Sequence, residues 1–333
     1  MGADLARLLG RYLVLAAGLV LLNFLLPRLL PGDPLSFTAG GGTDAAIPLS
    51  AAAREQLGAY YQLDEPLQRQ LGAYLGDLAR GDLGRSIARP APVTDLLRAR
   101  LPWTLGLLLT ALVISAAAGT AAGIAAGWRP GRRADRVLVS IAGTLAAIPE
   151  FLLAIGLLLL FAVKLGWFPI YGGQTVFADR DGGPAGTIRH ALDIARHLTL
   201  PAAALAVAGA SGFLLLARDA MVGLRHEGWL VTARAKGMTE RRVALRHVLP
   251  NVALPLLAYL GLRLGGVLGG ALVVEQVFGV PGLGSLGFQA IQARDYPVLQ
   301  ALFLVSGLGV LAANLAVDLV QLRLLARRGG ARG

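Results

Sequence analysis

Cysteine is absent from this chain of 333 residues, and methionine, histidine and aromatic residues are scarce. The lack of cysteine excludes disulfides, thiol catalysis and thiolate-bound metals. Charged residues are also few, at 15%, whereas 55% of the residues are hydrophobic and the mean hydropathy is +0.62. This balance argues against a soluble enzyme.

Long apolar runs are the main feature that the chain does have. Each is about 20 residues long, enough to cross a hydrocarbon core about 30 Å thick. We therefore predict an all-α, polytopic integral membrane protein with about six transmembrane helices, kinked and closely packed because Gly and Pro are frequent. The predicted spans cover residues 11–30, 101–127, 137–163, 198–216, 252–274 and 298–322.

The first apolar run can be interpreted as an uncleaved anchor or as a signal peptide, because Arg7 and Arg11 precede its core. We favour the anchor, since no small-residue cleavage site follows at once. The predicted organisation is an N-terminal anchor helix 1–30, an extracytoplasmic segment 31–100, a core transmembrane domain 101–322 and a basic cytoplasmic tail 323–333.

Two long connections inside the core are predicted as loops, residues 164–197 and 275–297. The fourth span is then predicted to start at Thr199, Leu200 and Pro201, because threonine followed by proline is typical of a helix start. The charged stretch before the fifth span remains to be explained.

The basic residues are distributed unevenly between the two sides of the predicted membrane. One side comprises the N-terminus, the 128–136 loop, the 218–250 segment and the tail, and it holds 17 Lys and Arg against 5 Asp and Glu. The opposite loops hold equal numbers of each sign. The positive-inside rule assigns the basic side to the cytoplasm, which places both termini there. The net charge of +11 therefore reports topology, and we do not expect nucleic-acid binding.

No catalytic or metal-ligating constellation is present in the sequence. There is no HExxH, no serine nucleophile elbow and no GxxxxGK[ST] phosphate loop, and the four histidines are scattered over both sides. We predict a protein that is not an enzyme and that binds no metal or cofactor of its own.

The segment 227–250 is the most informative part of the sequence. It is too polar to span a membrane, Gly237 breaks it, and Thr239 is a plausible cap for a second short helix. Two short helices would lie along the cytoplasmic surface. Spacing alone is equally compatible with an amphipathic helix on anionic lipid and with a helix that docks Val243, Leu245 and Leu249 into another protein.

These residues resemble a known family. TARAKG followed by RHVLPN is similar to the cytoplasmic EAA loop of ABC-importer permeases, with Gly237 ten residues before the ending that contains Leu249 and Pro250, and with His247 in place of the usual Ile. Further islands are similar to the inner-membrane subunits of dipeptide and oligopeptide importers. They are LLPGDP at 29–34, RGDLGRS at 80–86, FAVKLGWFP at 161–169 and VFGVPGLGSLGFQAIQARDYPV at 277–298.

The resemblance covers residues 8–322 and implies the ABC type I importer permease fold in a bacterial or archaeal plasma membrane. It implies four kinds of partner: a second homologous permease, two cytoplasmic ATPase subunits that hold ATP and Mg, an external substrate-binding protein and the lipid bilayer. It also implies that segment 227–250 couples ATP hydrolysis to the pore. The expected coupling residues are Glu227, Ala233, Arg234, Ala235, Lys236, Gly237, Thr239, Arg241, Arg242, Val243, Leu245, Leu249 and Pro250.

Three charges fall inside predicted spans, where they are costly and therefore functional candidates. Glu150 follows Pro149 in the third span, and Arg263 lies in the fifth. The two could pair with each other, line a wet cavity or contact substrate. Asp318, near Arg323, is interpreted as a structural residue at the interface.

Two rival functions remain. An ion-gradient-driven secondary transporter would need inverted repeats and midplane carboxylates, and an integral membrane enzyme would need an acid, a base and a nucleophile within reach. Neither rival requires an EAA-like segment. The cargo stays open: di- and oligopeptides are expected first, with nickel, glutathione or another small solute as alternatives.

Overall fold

A computed structural model describes residues 2–29, 65–175, 184–224, 227–228, 232, 235–243 and 248–329. The described residues are almost entirely helical and contain no β-strand beyond one isolated bridge. The helices are α1 (Gly2–Leu29), α2 (Leu67–Ala79), α3 (Val93–Trp128), α4 (Arg133–Ala147), α5 (Glu150–Leu157), α6 (Pro184–Leu224), α7 (Glu240–Val243), α8 (Leu249–Phe278), α9 (Leu283–Ala293) and α10 (Tyr296–Gly329).

The apolar composition of these helices fits a membrane. Four of the helices among the described residues are long and apolar enough to cross one, and a bent pair adds a fifth if the pair is a single span. A shorter apolar helix, Leu249–Leu264, begins α8. The predicted multi-pass, all-α architecture is confirmed.

The third predicted span is broken. Helix α4 ends at Ala147, and α5 leaves it at 101° before continuing as a π-helix, Leu158–Lys164. Ile148 is extended, with φ −88° and ψ 124°, because the ring of Pro149 disfavours helical geometry in the residue before it. The break places Glu150 on the first turn of α5.

Both predicted loops contain helix. Helix α6 begins at Pro184, and the predicted start at Pro201 is wrong because that proline lies inside the helix. A long membrane helix tolerates one missing N–H when neighbouring groups pack around it, and Pro201 is buried. The glycine-rich stretch after α8 likewise becomes α9, which begins directly after Pro281 and Gly282.

Contacts divide the chain into two compact units. The first comprises Met1–Leu101 and Leu286–Ala312, and the second comprises Pro102–Ser285 and Ala313–Gly333. In the first unit, Asn23 and Gln300 exchange side-chain hydrogen bonds with each other's backbone carbonyls at 3.0 and 3.1 Å. This reciprocal pair ties α1 to α10, and the Tyr74 hydroxyl donates to the Asn23 amide oxygen at 3.0 Å.

A buried carboxylate joins two of the sequence islands in the first unit. Asp295, only 3% exposed, accepts hydrogen bonds from the Ser86 hydroxyl and from the backbone N–H groups of Ile87 and Ala88. A carboxylate that accepts several backbone N–H bonds fixes the conformation of the loop that supplies them. The RGDLGRS island and the ARDYPV island therefore meet at one fixed turn.

The second unit holds two apolar clusters between its helices. One is centred on Leu107, Leu205 and Phe278, and the other on Phe213, Met221 and Val252. Both clusters use residues of α3, α6 and α8, so these three helices form the packed centre of the unit.

Three glycines at four-residue spacing let α3 and α6 approach closely. A Cβ at Gly123 would lie 2.7 Å from the Cβ of Ala217, and one at Gly127 would lie 2.6 Å from the Cβ of Met221. Gly119 faces Phe213 in the same way. Small residues at this spacing are how membrane helices pack without a hydrophobic driving force.

Gly123→Val is expected to destabilise the second unit, because overpacking a closed contact costs about 1–3 kcal/mol. Gly106→Val on the same helix is the matched control, since nothing lies within 4 Å of a Cβ at that position. The measurement is the unfolding temperature of the chain in detergent. Equal unfolding temperatures for the two variants would show that the glycine contact is not tight.

Candidate coupling and pore site

The segment expected to couple to an ATPase is exposed at most of its described residues, whereas Val243 and Val248 are buried. Gly237 has φ +74°, the left-handed region that glycine adopts without strain, and nothing lies within 4 Å of a Cβ built on it. It ends a short turn in which the Lys236 N–H donates to the Thr232 carbonyl at 3.1 Å. The predicted break in the segment is therefore a backbone reversal at one residue.

A short helix follows that reversal, as expected. Helix α7 begins at Glu240, and the Val243 N–H donates to the Thr239 carbonyl at 3.0 Å. The exposed members of the predicted set are Glu227, Ala235, Lys236, Gly237, Thr239, Arg242, Leu249 and Pro250. Arg241 lies in α7, while Ala233, Arg234 and Leu245 are outside the described residues.

Val243 differs from the expectation that it docks into a partner. Its side chain is fully buried and packs in the second cluster with Phe213, Met221 and Val252. Burying a Val side chain contributes roughly 1.5–3 kcal/mol. Val243 thus anchors α7 to the helix bundle from inside.

An ion pair that the sequence reasoning missed holds the neighbouring helix ends together. Asp135, 3% exposed, accepts from Arg218 Nε at 3.1 Å and Nη2 at 3.2 Å, and from the Gly131 N–H at 2.8 Å. This two-point geometry is the strong form of an arginine–carboxylate contact. It ties the start of α4 to the last turns of α6, just before the coupling segment.

A second missed group is Glu275, which was expected in an outer loop but lies in α8 and is fully buried. Thr104 Oγ1 donates to Glu275 Oε1 at 2.6 Å, and the Ser285 N–H donates to Oε2 at 3.1 Å. Thr104 in turn accepts from the Leu283 N–H at 2.7 Å. The network holds the start of α9 against α3 and α8.

Gly282 and Gly284 make this network possible. A Cβ on Gly282 would collide with the Glu275 carboxylate, and one on Gly284 would lie 2.9 Å from Glu275 Oε2. The turn between α8 and α9 can therefore enclose the carboxylate only with glycine at both positions. The only sign of this network in the sequence is the PGLG motif a few residues after Glu275. The hydropathy pattern does not reveal that Glu275 is buried.

The structure brings Glu150 and Arg263 together. Arg263 Nη2 lies 2.9 Å from Glu150 Oε1, and their side chains are 29% and 27% exposed. The contact is a single hydrogen bond between α5 and α8.

The described residues contain no group of three or more His, Asp or Glu side chains placed to hold a metal ion. The titratable groups brought together in the second unit form ion pairs and capping contacts of a kind that positions helices.

Comparison with known proteins decides the family. The model of the family described as "Binding-protein-dependent transport system inner membrane component" matches residues 119–329. The chain belongs to this family. The matched residues include the whole of segment 227–250 and both Glu150 and Arg263.

Curated relatives match this permease over nearly its whole length. It is 34% identical over 304 residues to the oligopeptide transport system permease protein AppB of Bacillus subtilis, covering 91% of this chain and 92% of the relative. It is 38% identical over 316 residues to the glutathione transport system permease protein GsiC of Salmonella typhimurium, covering 95% of each chain.

A solved structure shares the fold of the permease. An inward-facing structure of the MetNI methionine ABC transporter matches with a TM-score of 0.55 at 18% identity, covering 69% of this chain and 96% of the solved chain. At this identity the likeness concerns the fold alone. The predicted ABC importer permease architecture is confirmed, and the protein is a multi-pass transport subunit.

Proposed function

We propose that the permease forms half of the translocation pore of an importer for di- or oligopeptides. This cargo class is supported by the identity to an oligopeptide permease and to a glutathione permease, which extends over more than nine-tenths of each chain. Both relatives are named for peptide-like solutes. Glutathione itself is the second candidate, favoured by the 38% identity to GsiC. Nickel and other small solutes become alternatives if no peptide is found.

The proposed assembly contains a second homologous permease, two cytoplasmic ATPase subunits and an external binding protein. ATP and Mg would bind in the ATPase subunits, and this chain would have no ATPase site of its own. Both termini and segment 227–250 would face the cytoplasm of a bacterial or archaeal cell, as the excess of basic residues on that side suggests.

The observation that carries the coupling role is the exposed reversal at Gly237 directly before an anchored helix. Force from an ATPase reaches the pore only if the element that receives it is rigidly attached to the membrane helices. Val243 supplies that attachment, while Lys236 and Arg242 remain exposed for contact. Differential contact in two ATPase states would then bias the permease between inward- and outward-facing forms.

Affinity purification tests this assembly. The tagged chain is extracted gently from its native membrane, and the proteins that co-purify are identified by mass spectrometry, together with any ligand released from a co-purified binding protein. We expect two kinds of permease chain, an ATPase subunit and a peptide. Recovery of a monodisperse chain alone would contradict the proposal and would favour a secondary transporter.

A further inference from the structure

The pair formed by Glu150 and Arg263 lies within the third and fifth spans predicted from the sequence. Arg263 is near the middle of α8, Leu249–Phe278, and Glu150 stands on the first turn of α5 where the third span breaks. Charged side chains within membrane segments face a protein interior or a water-filled cavity, because contact with lipid costs several kcal/mol. The side of the helix bundle that presents these two side chains is therefore not a lipid-facing side.

The pair is not sealed within the chain. More than a quarter of each side chain is exposed, and one N–O contact of 2.9 Å joins them. The ion pair of Asp135 and Arg218 is different, because that carboxylate is 3% exposed and is bound at two points by the guanidinium. The first pair therefore exposes both partners, whereas in the second the carboxylate is enclosed and only Arg218 is partly exposed, at 27%.

Small residues on neighbouring helices leave room around the guanidinium. A Cβ at Gly209 of α6 would lie 3.3 Å from Arg263 Nη2 and 2.9 Å from the Ser115 hydroxyl. Ser115 itself is buried and donates to the Ala111 carbonyl at 2.6 Å. The guanidinium thus packs beside a glycine and near a hydroxyl whose proton is donated to the Ala111 carbonyl.

We propose that this pair binds the two charged ends of a short zwitterionic peptide in the pore. The peptide carboxylate would bind Arg263 while the peptide ammonium binds Glu150. A buried charge without a partner is costly at low dielectric. A solute that carries both charges can exchange partners with the pair, so that no charge is left unpaired. A solute with a single charge would leave Glu150 or Arg263 without a partner.

The geometry limits the solute. Two residues span at most about 7 Å in extended form. The two ends of a dipeptide can therefore bind Arg263 and Glu150 once the 2.9 Å contact between these side chains is broken. This inference rests on the proposed peptide cargo and deepens it, since it assigns the recognising groups and favours short peptides over long ones.

The test uses three probes: alanylalanine, its N-acetyl derivative and its C-terminal amide. Their binding to the solubilised permease complex, without the binding protein, is measured by saturation-transfer NMR titration at millimolar concentration. Loss of either end charge is expected to weaken binding to the unaltered complex roughly tenfold, which corresponds to about 1.4 kcal/mol. Arg263→Gln should bind the dipeptide and its amide equally, and Glu150→Gln should bind the dipeptide and its N-acetyl form equally.

The double variant Glu150→Gln with Arg263→Gln is the folding control. Glu150→Gln keeps the side-chain shape, Arg263→Gln shortens the side chain but keeps it polar, and the double variant leaves no single charge unpaired, so it should stay monodisperse with a near-normal unfolding temperature and lose the preference for the zwitterion. Equal binding of all three probes to the unaltered complex, no binding of any probe, or an unchanged preference in the single variants would overturn the inference. Peptide uptake by the unaltered complex with its binding protein tests the proposed function separately.

Discussion

Replacing Gly237 with proline is expected to abolish ATP-driven transport while the chain remains in the membrane. Proline fixes φ near −65°, whereas Gly237 has φ +74°, so the reversal before α7 cannot form. Because Gly237 is exposed and no atom lies within 4 Å of a Cβ built on it, its replacement should leave the membrane helices folded. The measurement is binding-protein-stimulated ATP hydrolysis and uptake in proteoliposomes, with an expected decrease of more than about tenfold if misplacement of α7 costs about 1.4 kcal/mol or more.

Graded substitutions separate backbone conformation from size. Asparagine tolerates the left-handed region better than alanine does, so Gly237→Asn should retain more activity than Gly237→Ala. Gly228→Ala is the matched control, because Gly228 is in the same segment, is exposed and does not have a positive φ. If Gly237→Pro transported normally, segment 227–250 would not be the coupling element.

The second large effect is expected at Thr104. Thr104→Val keeps the shape of the side chain but removes the hydroxyl, which leaves the Leu283 N–H and one oxygen of the Glu275 carboxylate without that partner. Each unsatisfied buried group costs about 1–3 kcal/mol, more when it is charged. A marked fall in the unfolding temperature of the solubilised permease should result.

Two variants make this test specific. Thr104→Ser retains the hydroxyl and should restore most of the stability, whereas Thr110→Val, on an exposed position of the same helix, should have little effect. Stability that is equal in Thr104→Val and Thr110→Val would mean that the hydroxyl bridge does not hold the turn between α8 and α9.

The helical membrane architecture could be predicted from the sequence because hydropathy over about 20 residues reports burial in lipid directly. The errors fall at prolines and glycines. Pro201 was interpreted as a helix start, but packing in the second unit accommodates it inside α6. Pro149 stands next to a true break, which its sequence alone could not distinguish from a tolerated kink.

The part of the candidate site that is formed by neighbouring residues in the sequence could be predicted. Spacing and the EAA resemblance single out segment 227–250 as the proposed coupling element, and the reversal at Gly237 agrees with the predicted break. The burial of Val243 could not be predicted, because it depends on residues of α6 and α8 that are distant along the chain. The partners of Glu275 and Asp135 were missed for the same reason.

Reconstitution of transport distinguishes an ATP-driven importer from a transporter driven by an ion gradient. The permease pair, the ATPase subunits and the binding protein that co-purify are assembled in proteoliposomes, and uptake of a labelled peptide is followed with and without ATP. Accumulation is expected only when ATP, the ATPase subunits and the binding protein are all present. Accumulation driven by a proton or sodium gradient, with neither ATP nor the binding protein, would contradict this expectation.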